Sequence, residues 1–249
     1  MPSWKKVISS GSAAHLLNIT ASNLPNIYKN NVLMYDTASG VITYFSSSLD
    51  NRVYVQQSGS VKYNNTAQTL MTNTTVTLMD SNGTQIVPPT ITDSNGNFNF
   101  ARVPIGNYYV QFQTNKPWGG VTNADAGAIE NHFNTVELLT GIRQLAADVD
   151  ADGDIDNTDY SQVNNRISNS IGLFTAGDWV FGSGSGTNFR GWRMIAAQPI
   201  SPSLGVVSSF GIPLTASVNN TNLQYLALCT GDVNGSYIPA LEFEPEINI

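Results

Sequence analysis

Short runs in which apolar and polar residues alternate, punctuated by Asp-Ser-Asn-Gly and Pro-Ile-Gly turns, predict a mainly β chain. One acidic twelve-residue loop followed by a helical apolar stripe adds a small α part. The expected architecture is a β-sandwich followed by a two-helix loop module that a β-rich insertion interrupts. At 249 residues the chain has room for two small domains and an extension, and 41% hydrophobic content is enough for packed cores. Charged residues are only 12% of the chain, so Asn, Thr, Ser and Gly carry much of the polar surface and the turns. With a net charge of −7 and no basic stripe, nucleic-acid binding has no support.

Residues 1–52 read as an assembly or attachment segment. Ser3-Trp4-Lys5-Lys6-Val7-Ile8, Thr20-Ala-Ser-Asn-Leu24 and Val32-Leu-Met-Tyr-Asp36-Thr37-Ala-Ser-Gly40 form short β-like runs between polar turns, with little core of their own. Met1 to Gly11 lacks the uninterrupted apolar run of a signal peptide, and the sequence has no transmembrane stretch. This opening resembles the starts of tail-fibre and other virion structural proteins of tailed phages. The resemblance implies order gained by packing on other copies of the chain or on other virion proteins.

Residues 53–115 carry the sandwich. Val76/Leu78, Phe98/Phe100 and Tyr108/Val110 alternate with polar neighbours, as half-buried strands do, and Asp80-Ser-Asn-Gly83, Asp93-Ser-Asn-Gly96 and Pro104-Ile-Gly106 are turns. The pattern resembles the carboxypeptidase-regulatory-like, prealbumin-type β-sandwich, which implies a rigid spacer or display unit.

Residues 116–240 hold the loop module. From Asp148 to Asp156 every second residue is acidic, and Asp159 closes the twelve-residue stretch. Asp148, Asp150, Asp152, Asp156 and Asp159 fall on positions 1, 3, 5, 9 and 12 of an EF-hand-like calcium loop; Asp154 offers its carbonyl at position 7, and Gly153 makes the sharp turn at position 6. Convergent carboxylates repel one another unless a cation neutralises them, so Ca2+ is the expected occupant. From Asp159 a helix runs on, with Tyr160, Val163 and Ile167 as its apolar stripe and Gln162, Asn164, Asn165 and Arg166 on its polar face. A short segment before the loop and Asp at its last position resemble the dockerin type I pattern.

Dockerins carry two such loop-helix units. A shift of 34 residues lays Val121 to Asp125 over Ile155 to Asp159, and Ala126, Ile129 and Phe133 over Tyr160, Val163 and Ile167. Only the back half of a loop precedes that first helix. The front half stands far downstream, where Gly231-Asp-Val-Asn-Gly-Ser236 supplies Asp232, Asn234 and Ser236 at positions 1, 3 and 5. The reading is a split second Ca2+ site, closed by Asp125 with Thr122 and weaker than the intact one because it has fewer carboxylates. A clip over so long a loop would restrict the unfolded chain.

The interrupting insertion, about 177–228, reads as strands at Trp179-Val-Phe181, Gly205 to Phe210, Ile212-Pro-Leu214 and Leu223 to Leu228. Phe189, Trp192 and Met194 are read as core, with a recognition surface as the alternative. Cys229 stands among Leu226, Ala227 and Leu228 as a small core residue, and His132 is expected at the solvent. Residues 241–249 form an acidic tail. The chain shows no Ser-His-Asp order, no phosphate loop and no carboxylate pair outside the calcium sites, so no enzymatic activity is expected.

Together these features point to a non-enzymatic, calcium-binding structural or adhesion protein. The first expectation is a phage virion component, a fibre, tail or decoration protein on the particle surface, facing a glycan or protein receptor. The alternative is an extracellular bacterial protein whose dockerin-like helices dock to a cohesin in a polysaccharide-degrading assembly.

Overall fold

The computed structural model describes residues 32–36, 41–45, 53–185, 188–194, 206–207 and 210–240, and the chain divides into two compact units, Met1–Asn51 and Arg52–Ile249. In the first unit β1 (Val32–Asp36) and β2 (Val41–Phe45) pair antiparallel, with Val32 opposite Phe45 and Asp36 opposite Val41. The remainder of 1–52, to which assembly partners are assigned above, and the acidic tail 241–249 lie outside the described residues.

The second unit begins with β3 (Tyr54–Tyr63), β4 (Thr75–Met79), β5 (Thr90–Ile91), β6 (Asn97–Pro104) and β7 (Gly106–Gln113). Three helices follow, α1 (Asn123–Phe133), α2 (Ile142–Ala147) and α3 (Asn157–Ile167). The chain then returns to strands with β8 (Trp179–Ser183), β9 (Arg190–Arg193), β10 (Val206–Val207), β11 (Ile212–Ala216) and β12 (Asn220–Cys229). The strands form two sheets, one in the order β10-β9-β8-β12-β3-β6 and one in the order β11-β7-β4-β5. The protein is mainly β, and the two sheets make a β-sandwich. Among the described residues no helix is long and apolar enough to cross a membrane.

Alternation in the sequence becomes burial in the sandwich. Val76, Leu78, Phe98, Phe100, Tyr108 and Val110 all point into the core while their neighbours stay at least partly exposed. Phe112 of β7 stacks on Phe181 of β8 at 4.8 Å between ring centroids and meets Tyr225 of β12 at 4.9 Å, so aromatic rings bridge the two sheets. β6 and β7 belong to different sheets, and the chain crosses at Pro104–Gly106. Tyr108 fastens that corner, its hydroxyl donating to the Pro104 carbonyl at 2.9 Å. A Cβ on Gly106 would come within 2.8 Å of that same hydroxyl, which explains the glycine.

Strands from 177–228 complete both sheets. β12 lies parallel to β3, with Tyr225 opposite Val61, and antiparallel to β8 on its other side. β11 adds to β7, with Ile212 opposite Val110. Phe189 and Trp192 are 4% and 6% exposed, so they are core residues and not a recognition surface. Cys229 is fully buried at the end of β12, and burial pushes its thiol up to about 12.

The helices lie against the same core. Ile129 of α1 and Val163 of α3 are fully buried where the two helices pack on each other, with Phe133 and Ile167 half-buried beside them. α2 contributes Ile142, Leu145, Ala146 and Ala147 to the core and packs on β8 and β12. Two residues differ from their expected surroundings. Arg166 is buried rather than on a free polar face: its guanidinium lies 3.6 Å over Trp118 and 4.4 Å over Phe174 and pairs with Asp178 at 2.6 Å. His132 turns back onto its own connection, where Nδ1 accepts from the Leu139 N–H at 2.9 Å.

Candidate cation-binding loop and the clasp beside it

Local chemistry shapes the acidic loop. Ala151 and Gly153 take positive φ, 62° and 103°, to make the turn, and Ile155 tucks its side chain into the core. Successive acids receive N–H bonds from two residues on: Asp152 to Asp150 at 3.2 Å, Asp154 to Asp152 at 3.1 Å and Thr158 to Asp156 at 2.6 Å. Asp156 is the N-cap of α3, and Asp159 reaches back to accept the Asp156 N–H at 2.9 Å, a capping box. The other oxygen of Asp159 accepts from Val149 at 2.7 Å and so ties the loop's end to its beginning.

The loop gathers two groups of three carboxylates, Asp148/Asp150/Asp152 and Asp154/Asp156/Asp159, each with ligand atoms within 4.8 Å of one another. Either group can hold a metal ion. Asp148 is the most telling member. Its side chain is fully buried, Oδ2 accepts from Arg193 Nη2 at 2.8 Å, and Oδ1 is buried with no hydrogen bond of good geometry, although the Ala151 N–H lies near enough to the carboxylate to favour its ionised form. A buried carboxylate oxygen without a partner is costly, and a cation is the partner that fits an acid-lined loop.

Burial and mutual repulsion disturb these acids. Burial pushes Asp148 up to about 6, against the pull of Arg193 and with help from Asp150 and Asp152. Asp159 is pushed up to about 7, again by burial, although the N–H bonds from Asp156 and Val149 act the other way. Asp150 is raised by burial, and exposed Asp154 chiefly by the charge of Asp152. Ionised carboxylates this crowded favour a divalent cation over water.

The five residues assigned to the split site also come together. Thr122 caps α1, and Asp125 accepts from its N–H at 2.9 Å and its Oγ1 at 3.0 Å, repeating the box that begins α3. The Asn234 N–H donates to the other oxygen of Asp125 at 3.0 Å, while the Asn234 side chain stays exposed. Asp232 accepts from the Ser236 N–H at 3.0 Å, the Tyr63 hydroxyl at 2.5 Å and the Tyr237 N–H at 3.1 Å. Ser236 Oγ donates to the Gly120 carbonyl at 2.9 Å, and Trp118 Nε1 to the Thr230 carbonyl at 2.8 Å. Asp125 and Asp232 are fully buried, and every one of their carboxylate oxygens accepts a protein N–H or O–H. Here the chain supplies its own partners, in contrast to Asp148.

Two contributors were missed in the sequence. Arg193 comes from β9 and Tyr63 from β3, each far from the acid it bonds. The available signal was an arginine at the end of Phe189 to Arg193, a run whose aromatics make it core.

Residues 47–164 match the family model of the SdrD B-like domain, an adhesin-type β-sandwich domain. The match covers a little under half of the chain and includes β3 to β7, the acidic loop and most of α3. No curated protein matches the chain. The stretch 47–164 is therefore similar to a surface adhesin-type structural domain, while β8 to β12, which complete its sheets, lie beyond the matched residues.

Proposed function

We propose that this chain is a non-enzymatic, calcium-binding structural protein of a surface, whose sandwich and loop module form one stiff display unit. The observation that carries the calcium reading is Asp148 Oδ1, buried and unbonded beside Asp150 and Asp152. Asp148, Asp150, Asp152, Asp156 and Asp159, with the carbonyl of Asp154, would hold the ion, and its charge would quench their repulsion. The Asp125–Asp232 half works as a hydrogen-bonded clasp, in which no carboxylate oxygen is left without a partner as Asp148 Oδ1 is.

Calorimetric titration tests both statements. The expected stoichiometry is one calcium per chain in the wild type, none in Asp148→Ala and one in Asp232→Ala. Two ions in the wild type, with one lost in Asp232→Ala, would make the split cluster a second calcium site.

Carriage on a phage particle is the reading that the opening residues support, with 1–52 as the attachment segment. Mass spectrometry of purified particles tests it, and absence of the chain from them would leave the secreted reading. Cohesin docking through the helices draws less support, because Arg166 is enclosed by Trp118, Phe174 and Asp178.

A further inference from the structure

We infer that Arg193 is a positioning residue and built-in counter-cation of the acidic loop, holding Asp148 in place while no metal is bound; the inference rests on the calcium reading above. Arg193 Nη2 lies 2.8 Å from Asp148 Oδ2, and both side chains are 0% exposed. Nη1 donates at 3.0 Å to the carbonyl of Leu145, in the last turn of α2. One rigid guanidinium fork thus grips the end of the helix and the first acid after it, which fixes how the chain enters the loop.

The arrangement divides the Asp148 carboxylate between two cations. Oδ2 is committed to Arg193, and Oδ1 is left without a bond. If Arg193 were absent, Asp148 would be a buried charge with no counter-charge until a metal arrived, a situation that strongly destabilises folded proteins. Arg193 lies on β9, directly opposite Val180 of β8. The sheet thereby supplies the charge that keeps the loop closed when calcium is scarce, and loop and sheet are coupled through one ion pair.

The test compares thermal unfolding of the full chain in chelator and in millimolar calcium for the wild type, Arg193→Met, Asp148→Asn and the double variant. In chelator Arg193→Met is expected to lose on the order of 10 °C in Tm. In calcium it should regain more than half of that loss, because the metal replaces the missing charge. Asp148→Asn should gain nothing from calcium, and the double variant, with both charges gone, should unfold in chelator well above Arg193→Met. Equal losses with and without calcium, a double variant no better than Arg193→Met, or an Arg193→Met chain that stays unfolded even in calcium would each overturn the role assigned to Arg193. A wild type whose Tm and titration heat ignore calcium would instead remove the calcium reading itself.

Discussion

Asn234 and Asp125 stand 109 residues apart, yet the backbone N–H of the first donates to Oδ1 of the second at 3.0 Å. Within the contiguous loop it is the residue one position earlier, Val149, whose N–H donates to the closing acid Asp159, at 2.7 Å. Asp125 and Asp159 also occupy the same place in matching capping boxes, on Thr122 and Asp156. A capping-box acid thus takes an N–H from the start of a loop twice, once from neighbouring residues and once, one position further on, from a distant stretch.

The clasp should carry measurable stability. Asp125→Ala removes the acceptor of three bonds and the α1 capping box, and is expected to cost roughly 2 kcal/mol. Tyr63→Phe deletes the hydroxyl that donates to Asp232 and accepts from Cys229 at 3.1 Å, for about 2 kcal/mol. Urea denaturation at fixed calcium measures both, and losses within error of zero would mean that the clasp is ornamental to stability.

Acid should act in opposite directions on the free and loaded protein. Asp148 and Asp159 are raised to about 6 and about 7 in the folded, metal-free chain, against about 3.9 when unfolded. A carboxyl raised by folding holds its proton more tightly in the native state, so its contribution is fully present below about pH 4 and is lost as pH rises through 6 to 7. In chelator these two groups should therefore raise Tm as pH falls from 7 towards 5. Calcium must displace those protons, so its affinity should fall over the same interval, with proton release on binding at pH 6. Parallel Tm curves with and without calcium would contradict this coupling.

Arg166→Lys is not expected to be a mild change. It keeps the charge but loses the flat guanidinium that lies on Trp118 and Phe174 while bonding Asp178. A loss of about 2 kcal/mol is expected by urea denaturation, with calcium stoichiometry unchanged. Full wild-type stability would place Arg166 among ordinary surface residues.

The matched stretch should not fold by itself. A fragment of residues 47–164 lacks β12, so the inner edge of β3 opens and Val61 and Tyr63 lose the neighbours opposite them. Lost burial and an unpaired strand edge favour aggregation. Circular dichroism and size-exclusion chromatography of the fragment should show an unfolded or aggregated chain, and a monomer with a cooperative transition would disprove the need for β12.

Much of the local structure was legible. Val76/Leu78 and Tyr108/Val110 alternate because a strand alternates, and the loop from Asp148 to Asp159 carries its acid spacing within twelve residues. The repeat offset of 34 also survives, as the two capping boxes. Arg166 misled because helical periodicity places it on the polar face, whereas Trp118 and Phe174 arrive from outside the helix to cover it. Tyr63 and Arg193 carried no local mark at all, since what makes each matter is an acid reached only through the fold.

The sequence alone determined the strand periods, the acid spacing of the loop and the caps of α1 and α3, because each depends on side chains a few residues apart. Tertiary structure alone decided that β12 lies beside β3, that Tyr63 meets Asp232, and that Arg193 takes one oxygen of Asp148 and leaves the other unbonded. Those pairings are selected by shared burial and chain closure over the whole unit, a competition among distant segments that no local pattern records.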